Sequence, residues 1–223
     1  MAKKNPANEK ELTSEQKLVN KISDFFTKNR LLLLIIIAAV VVVGIVAAVV
    51  IVSSVNNAKK AAQEKVAALE DKYNITMAAV EQDWDALITE LQPLIGGPNY
   101  PSVKAAYLLG LVYYEKGDYA TARTTFMQAY NLNTKIYLAP ASLVCAAACA
   151  DAVDDSATAL SLYNQVYSDY PDSGVAPRAL FNAARIYLEQ GNTQLAQASF
   201  AQVADYYPNS EYGKLAKNLA NVL

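Results

Sequence analysis

The sequence predicts an all-α chain: a single N-terminal transmembrane helix followed by a solenoid of stacked helical hairpins. Three observations carry this expectation. Leu31 to Val52 is a run of 22 residues without a charge or a proline. Ala122, Ala159 and Ala196 stand 37 residues apart, each followed four residues on by a ring, Phe126, Tyr163 and Phe200. Turn signals keep the same register, with Gly117-Asp118 in the first unit and Gly191 in the third. Gly ends helices and Asp starts them. Self-similarity at such a period marks a supersecondary unit that buries its apolar face only by stacking on its neighbours.

Residues 1–30 read as a short basic tail, with seven Lys/Arg against four Asp/Glu. Leu18, Ile22, Phe25 and Phe26 share one helical face, and Thr13 and Gln16 have the spacing of a capping box. A helix over 13–28 is therefore expected. Two arrangements fit it equally: a helix lying on the membrane surface with its lysines toward the headgroups, or a helical extension of the span.

Residues 31–52 are the membrane segment. At about 1.5 Å per residue the run is about 33 Å long, against a hydrocarbon core of about 30 Å. A signal-peptide core is shorter, and its basic leader is not usually as long as this tail. Lys28 and Arg30 abut the run, while the next base on its other side is Lys59. That asymmetry places the tail in the cytoplasm and the remainder on the far side of the membrane.

Residues 53–81 form a helix-prone stalk that contains neither Gly nor Pro. Ala62, Val66, Leu69, Tyr73 and Val80 nearly follow a heptad. The spacing suits a dimeric coiled coil, or a stalk that becomes the first helix of the repeat domain. From residue 53 onward the chain carries 12 Lys/Arg and 17 Asp/Glu, a net charge of −5. An acidic domain of this kind disfavours nucleic acid as a partner.

Residues 82–223 form the repeat domain, with three clear units over 103–136, 140–173 and 177–210. Each has a small residue where its two helices cross (Gly110, Ala147, Ala184) and another on its second helix (Ala122, Ala159, Ala196). Small residues let two backbones approach, and the rings Phe126, Tyr163 and Phe200 fill the gaps beside them. A degenerate unit precedes these. Asp83-Trp84-Asp85-Ala86-Leu87 with Leu91 and Leu94 mimics Asp118-Tyr119-Ala120-Thr121-Ala122 with Phe126 and Ala129. Pro93 is expected to kink its helix, and Gly96-Gly97-Pro98 to stop it. Tyr212, Leu215, Ala216 and Leu219 place a capping helix over 211–221, as an open-ended stack requires.

These residues resemble the tetratricopeptide repeat (TPR) family, whose pattern also wants a proline near the end of the second helix, here Pro171 and Pro208. The chain departs from the pattern in lacking its early tryptophan and in carrying Thr134 where the first unit would have proline. The resemblance covers Val103 to Tyr212, about half the chain. It implies a protein-binding scaffold whose concave face is lined by the first helix of each hairpin. Helical spacing from the crossing residues puts Lys104, Tyr107, Leu111 and Tyr114 on that face, then Ala141, Val144, Ala148 and Asp151, then Arg178, Phe181, Arg185 and Leu188. Rings at both ends, small residues between and a few cations suit an extended peptide. The alternative is that some of them pack against the stalk or the terminal helix.

The chemistry of catalysis is sparse. No histidine occurs in the chain, which removes the commonest general base and metal ligand. No glycine-rich phosphate loop is present either. Asp83 with Asp85, and Asp154 with Asp155, read as helix caps and solvated turns rather than acid–base pairs. Cys145 and Cys149 are four apart on an Ala-rich stretch, a poor geometry for a disulfide, and read as small buried thiols. No enzyme activity, cofactor or metal is expected.

The layout of basic tail, span, stalk and repeats resembles the bacterial ancillary subunits of the Sec translocon. The endings Tyr170-Pro171-Asp172-Ser173 and Tyr207-Pro208-Asn209-Ser210 are similar to those of envelope TPR proteins such as the Tol-Pal coordinators. The resemblance implies translocon, chaperone or envelope-assembly proteins as partners, at the inner membrane of a bacterium with the repeats in the periplasm. A self-associating scaffold is the other reading, and the oligomeric state is left open.

Overall fold

The computed structural model of the protein describes residues 13–80 and 82–223. Residues 1–12 of the basic tail and Glu81 at the end of the expected stalk lie outside them. All regular structure among the described residues is helical. The chain divides into two compact units, Met1–Ala58 and Lys59–Leu223.

In the first unit, α1 spans Ser14–Lys28. Thr13 and Gln16 cap it reciprocally: the Thr13 N–H donates to Gln16 Oε1 (3.0 Å) and the Gln16 N–H to Thr13 Oγ1 (3.4 Å). Two of the helix's otherwise orphaned donors are thereby satisfied. A single residue, Asn29, separates α1 from α2 (Arg30–Ala78), and its side chain donates to the Phe25 carbonyl at 2.9 Å. The first part of α2 is long and apolar enough to cross a membrane. Its large side chains from Leu34 to Val52 are exposed.

In the second unit the end of α2 pairs with α3 (Trp84–Leu91). Val66 and Leu69 are buried against Trp84, Leu87 and Leu91, together with Leu108 and Val112 of α4 (Tyr100–Glu115). Val66, Leu69 and Tyr73 of the heptad-spaced residues are thus used within the repeat domain, packed with α3 and α4, whereas Val80 lies past the end of α2 and is exposed. Ion pairs tie α2 and α3 to the next hairpin: Lys104 to Glu70 (2.5 Å) and Lys116 to Asp85 (2.5 Å). Pro93 does not bend α3. The helix ends at Leu91 and passes into a 3-10 turn over Gln92–Leu94, because proline offers no N–H to continue the ladder.

Three hairpins follow in strict register. They are α4 with α5 (Tyr119–Leu132), α6 (Leu138–Asp151) with α7 (Ser156–Asp169), and α8 (Ala176–Glu189) with α9 (Thr193–Tyr206). Each second helix begins at the same device. The carboxylate or amide oxygen of Asp118, Asp155 or Asn192 accepts the N–H of Thr121 (3.1 Å), Thr158 (3.2 Å) or Leu195 (3.2 Å). The residue before each cap is left-handed: Gly117 at φ 75°, Asp154 at φ 58° and Gly191 at φ 74°.

The crossings explain the small residues. A Cβ on Gly110 would stand 2.7 Å from the Phe126 ring, so only glycine lets α4 and α5 close to this distance. Phe126 is buried with Ala122, Ala146 and Cys149, which places it between successive hairpins. Tyr163 and Phe200 occupy the same station in their own clusters. Burying one such side chain contributes about 1.5–3 kcal/mol.

A polar ladder runs beside these rings. Gln165 Nε2 donates to the Tyr130 hydroxyl (3.0 Å), and one register later Gln202 Nε2 donates to the Tyr167 hydroxyl (3.2 Å). The Tyr170 hydroxyl donates to the Thr134 carbonyl (2.8 Å), and the Tyr207 hydroxyl to that of Pro171 (2.9 Å). Last, α10 (Glu211–Val222) closes the stack, with Ala216 buried and Tyr212 packed on Phe181 at 5.3 Å between centroids.

Candidate binding groove

The first helices α4, α6 and α8 line one side of the solenoid, and a cleft of about 240 Å³ opens between them. Leu111, Tyr114 and Glu115 enter it from α4, Val144, Cys145 and Ala148 from α6, and Arg178 and Asn182 from α8. Phe126 of α5 reaches the same cleft. Four of the residues expected in a groove, Leu111, Tyr114, Val144 and Arg178, are therefore brought together here. Val144 is the most enclosed of them, with 2 % of its surface exposed.

The other four are placed elsewhere. Lys104 is 8 % exposed and paired with Glu70 of α2, with its ammonium 6.0 Å from the centroid of the Tyr107 ring. Tyr107 lies against Phe126 (5.6 Å between centroids), and its hydroxyl is 3.7 Å from Cys145 Sγ. Phe181 packs edge-on against Phe200 at 5.2 Å and belongs to the C-terminal core. Arg185 pairs with Asp151 of α6 and Glu189 of its own helix. Of the further residues projected onto this face, Ala148 lines the cleft, Leu188 packs in the C-terminal cluster, and Ala141 lines a separate depression among the hairpin ends.

Asn182, Glu115 and Cys145 are cleft residues that the sequence reading missed. The signal for the first two was present: Asn182 follows Arg178, and Glu115 follows Leu111, at the i, i+4 spacing that shares a helix face. Cys145 follows Val144 directly and was assigned to the interior.

The tyrosine and the two cysteines beside the cleft are held protonated by burial. Burial, reinforced by Cys145, pushes the Tyr107 hydroxyl well above the usual phenol range. Burial likewise pushes the Cys145 thiol up, and takes Cys149 up to about 12. Thiols so shifted are poor nucleophiles, and both cysteines are free. Among the described residues, no cluster of three or more His, Cys, Asp or Glu side chains is arranged to hold a metal ion. What the cleft offers is shape, a mostly apolar wall, the guanidinium of Arg178, the amide of Asn182 and the exposed carboxylate of Glu115.

Comparison with known proteins gives the repeats their family. Tetratricopeptide repeat models match residues 103–136 and 178–210. Among solved structures, the nearly identical TPR-like repeats of a putative kinesin light chain from Podosopora anserina are similar, at 13 % identity with a TM-score of 0.51. The match covers 73 % of this chain and 81 % of that one, and a point variant of the same protein matches equally. PcrH from Pseudomonas aeruginosa matches at 18 % identity over 56 % of this chain and 92 % of that one, with a TM-score of 0.48. No curated protein matches the chain. The kinesin light chain likeness is one of fold. Residues 103–136 and 178–210 are thus tetratricopeptide repeats, set in an all-helical solenoid.

Proposed function

We propose that this protein is a non-catalytic TPR adaptor of the bacterial cell envelope. It is anchored in the inner membrane by the start of α2, with its tail in the cytoplasm and its repeats in the periplasm. Its task is to hold an extended segment of another protein. The observation that carries this reading is the cleft itself. Side chains of three first helices, from three consecutive hairpins, converge on one opening. A stack of hairpins builds such a surface without any one unit being able to bind alone.

The anchor rests on the length and composition of the apolar run and on its exposure. Orientation rests on the bases Lys28 and Arg30 at its N-terminal edge. An accessory role at the Sec translocon or in envelope assembly fits the same layout. A scaffold that self-associates through a coiled-coil stalk fits less well, because Val66 and Leu69 are committed to α3 and α4.

Protease added to spheroplasts tests the topology. The account expects digestion of the repeats from outside while a tag on the N-terminal tail is protected. Protection of the repeats in intact spheroplasts, with digestion only after lysis, would overturn the periplasmic placement.

A further inference from the structure

Arg178 stands in the cleft without a counter-ion. Its Nε is covered from solvent and has no hydrogen-bond partner. Among the described residues it forms no ion pair, although the neighbouring arginine of the same helix, Arg185, has two carboxylates. Tyr107, Cys145 and Tyr163 near it are held protonated by burial and supply no counter-charge. Glu115 lines the cleft but lies beyond ion-pair reach and is solvent-exposed.

Its position on the helix adds to the cost. Arg178 is the third residue of α8. Backbone N–H groups at that end carry partial positive charge, so a cation there is disfavoured. A guanidinium with a covered donor, no partner and an adverse dipole is not explained by the fold. Local features that oppose stability are expected where function requires them.

Around it the cleft is apolar. Leu111, Val144 and Ala148 form the wall, and the Asn182 amide stands one turn further along α8. A ligand that matches has an apolar side chain for that wall and an adjacent carboxylate for Arg178. Guanidinium and carboxylate pair through two parallel N–H···O bonds, and Asn182, one of whose amide N–H groups donates to the Tyr163 hydroxyl at 3.3 Å, has a second to offer.

We propose that the groove selects a partner segment carrying an acidic side chain next to an apolar residue, with the carboxylate seated on Arg178. This inference rests on the adaptor reading and names the chemistry of what it holds. The carboxylate is an internal Asp or Glu of the segment. Terminal-carboxylate capture would call on a set of backbone or amide donors, and the cleft presents one guanidinium and one amide.

The test uses the full chain in lipid nanodiscs and fluorescein-labelled, C-terminally amidated peptide pools. One pool fixes a central Leu-Glu pair, and a matched pool fixes Leu-Gln. A third repeats Leu-Gln with a free terminal carboxylate. Fluorescence anisotropy is expected to show at least tenfold tighter binding of the Leu-Glu pool. Arg178→Gln should abolish that preference, and Arg178→Lys should keep part of it. Equal binding of the two amidated pools would overturn the inference while leaving a peptide-binding groove. Preference for the free-acid pool would overturn the internal carboxylate. If no pool binds, the inference fails, whereas the adaptor reading is decided separately by crosslinking from the groove in membranes.

A second readout needs no ligand. Removing an uncompensated cation should stabilise the fold, so Arg178→Met is expected to raise the thermal midpoint of the unliganded chain. A lowered midpoint would mean that Arg178 serves the fold, and the inference would be wrong.

Discussion

Asp154 holds the left-handed backbone position that Gly117 holds one repeat earlier, at φ 58° against 75°. Both stand one residue before a helix cap, Asp155 and Asp118 respectively. A residue with a Cβ in this conformation costs about 1–2 kcal/mol, and glycine loses about 0.5–1 kcal/mol of that advantage to backbone entropy. Asp154→Gly is therefore expected to stabilise the domain by about 0.5–1 kcal/mol, and Gly117→Ala to destabilise it by about 1 kcal/mol. Thermal unfolding of the two variants, with opposite signs, checks this.

The contact between Gly110 and Phe126 leads to a second expectation. A methyl group on Gly110 would meet the ring at 2.7 Å. Gly110→Ala should cost about 1–3 kcal/mol, the usual range for overpacking. Phe126→Leu alone leaves a void and is also destabilising. Combined, the two should cost less than their sum, because the smaller side chain makes room for the methyl. A double-mutant cycle by chemical denaturation measures that coupling.

The tyrosine ladder gives a third. Tyr170→Phe and Tyr207→Phe keep the rings but remove the hydroxyls that reach the carbonyls of Thr134 and Pro171. Each loss should cost about 1 kcal/mol. Hydrogen exchange should rise locally, near the loops 133–137 and 170–175, if these bonds hold successive hairpins together.

Alkaline pH should loosen the domain in a defined window. Burial raises Tyr73, Tyr163 and Tyr170 from 10.0 to about 12. The folded state keeps these phenols protonated while the unfolded chain releases their protons, so the stabilisation is complete below pH 10 and is lost as pH rises toward 12. Tyrosinate absorbance followed together with circular dichroism should show late-titrating tyrosines that ionise as helix is lost. Ionisation of all tyrosines near pH 10 without unfolding would contradict the burial argument.

Local signals were the legible part of the fold. Asp118 and the crossing glycine Gly110 act through chain neighbours or through a contact repeated at 37-residue intervals, so their roles could be read from spacing. The end of α2 was harder, because Val66, Leu69 and Tyr73 carry no small crossing residue and their near-heptad spacing also suits a short coiled coil. Only the placement of Trp84 and Leu108 beside them distinguishes the two. Groove membership was half legible for the same reason. Lys104 sits on the expected helix, but Glu70, 34 residues away, draws it onto α2. Phe181 is similarly taken up by Phe200 and Tyr212. Helical spacing gives a face, and the partner of that face is set by tertiary contacts that spacing does not encode.

Site-specific photocrosslinking in native membranes tests the central claim most directly. A photoreactive residue at Leu111 or Ala148 faces the cleft, whereas one at Thr124 or Ala198 is placed on a second helix, away from the cleft-lining residues. The account predicts discrete protein adducts from the first pair and none from the second, with the adducts reduced by a Val144→Asp change in the cleft. Equal crosslinking from both pairs, or adducts from the second-helix positions alone, would contradict a partner held in the groove of α4, α6 and α8.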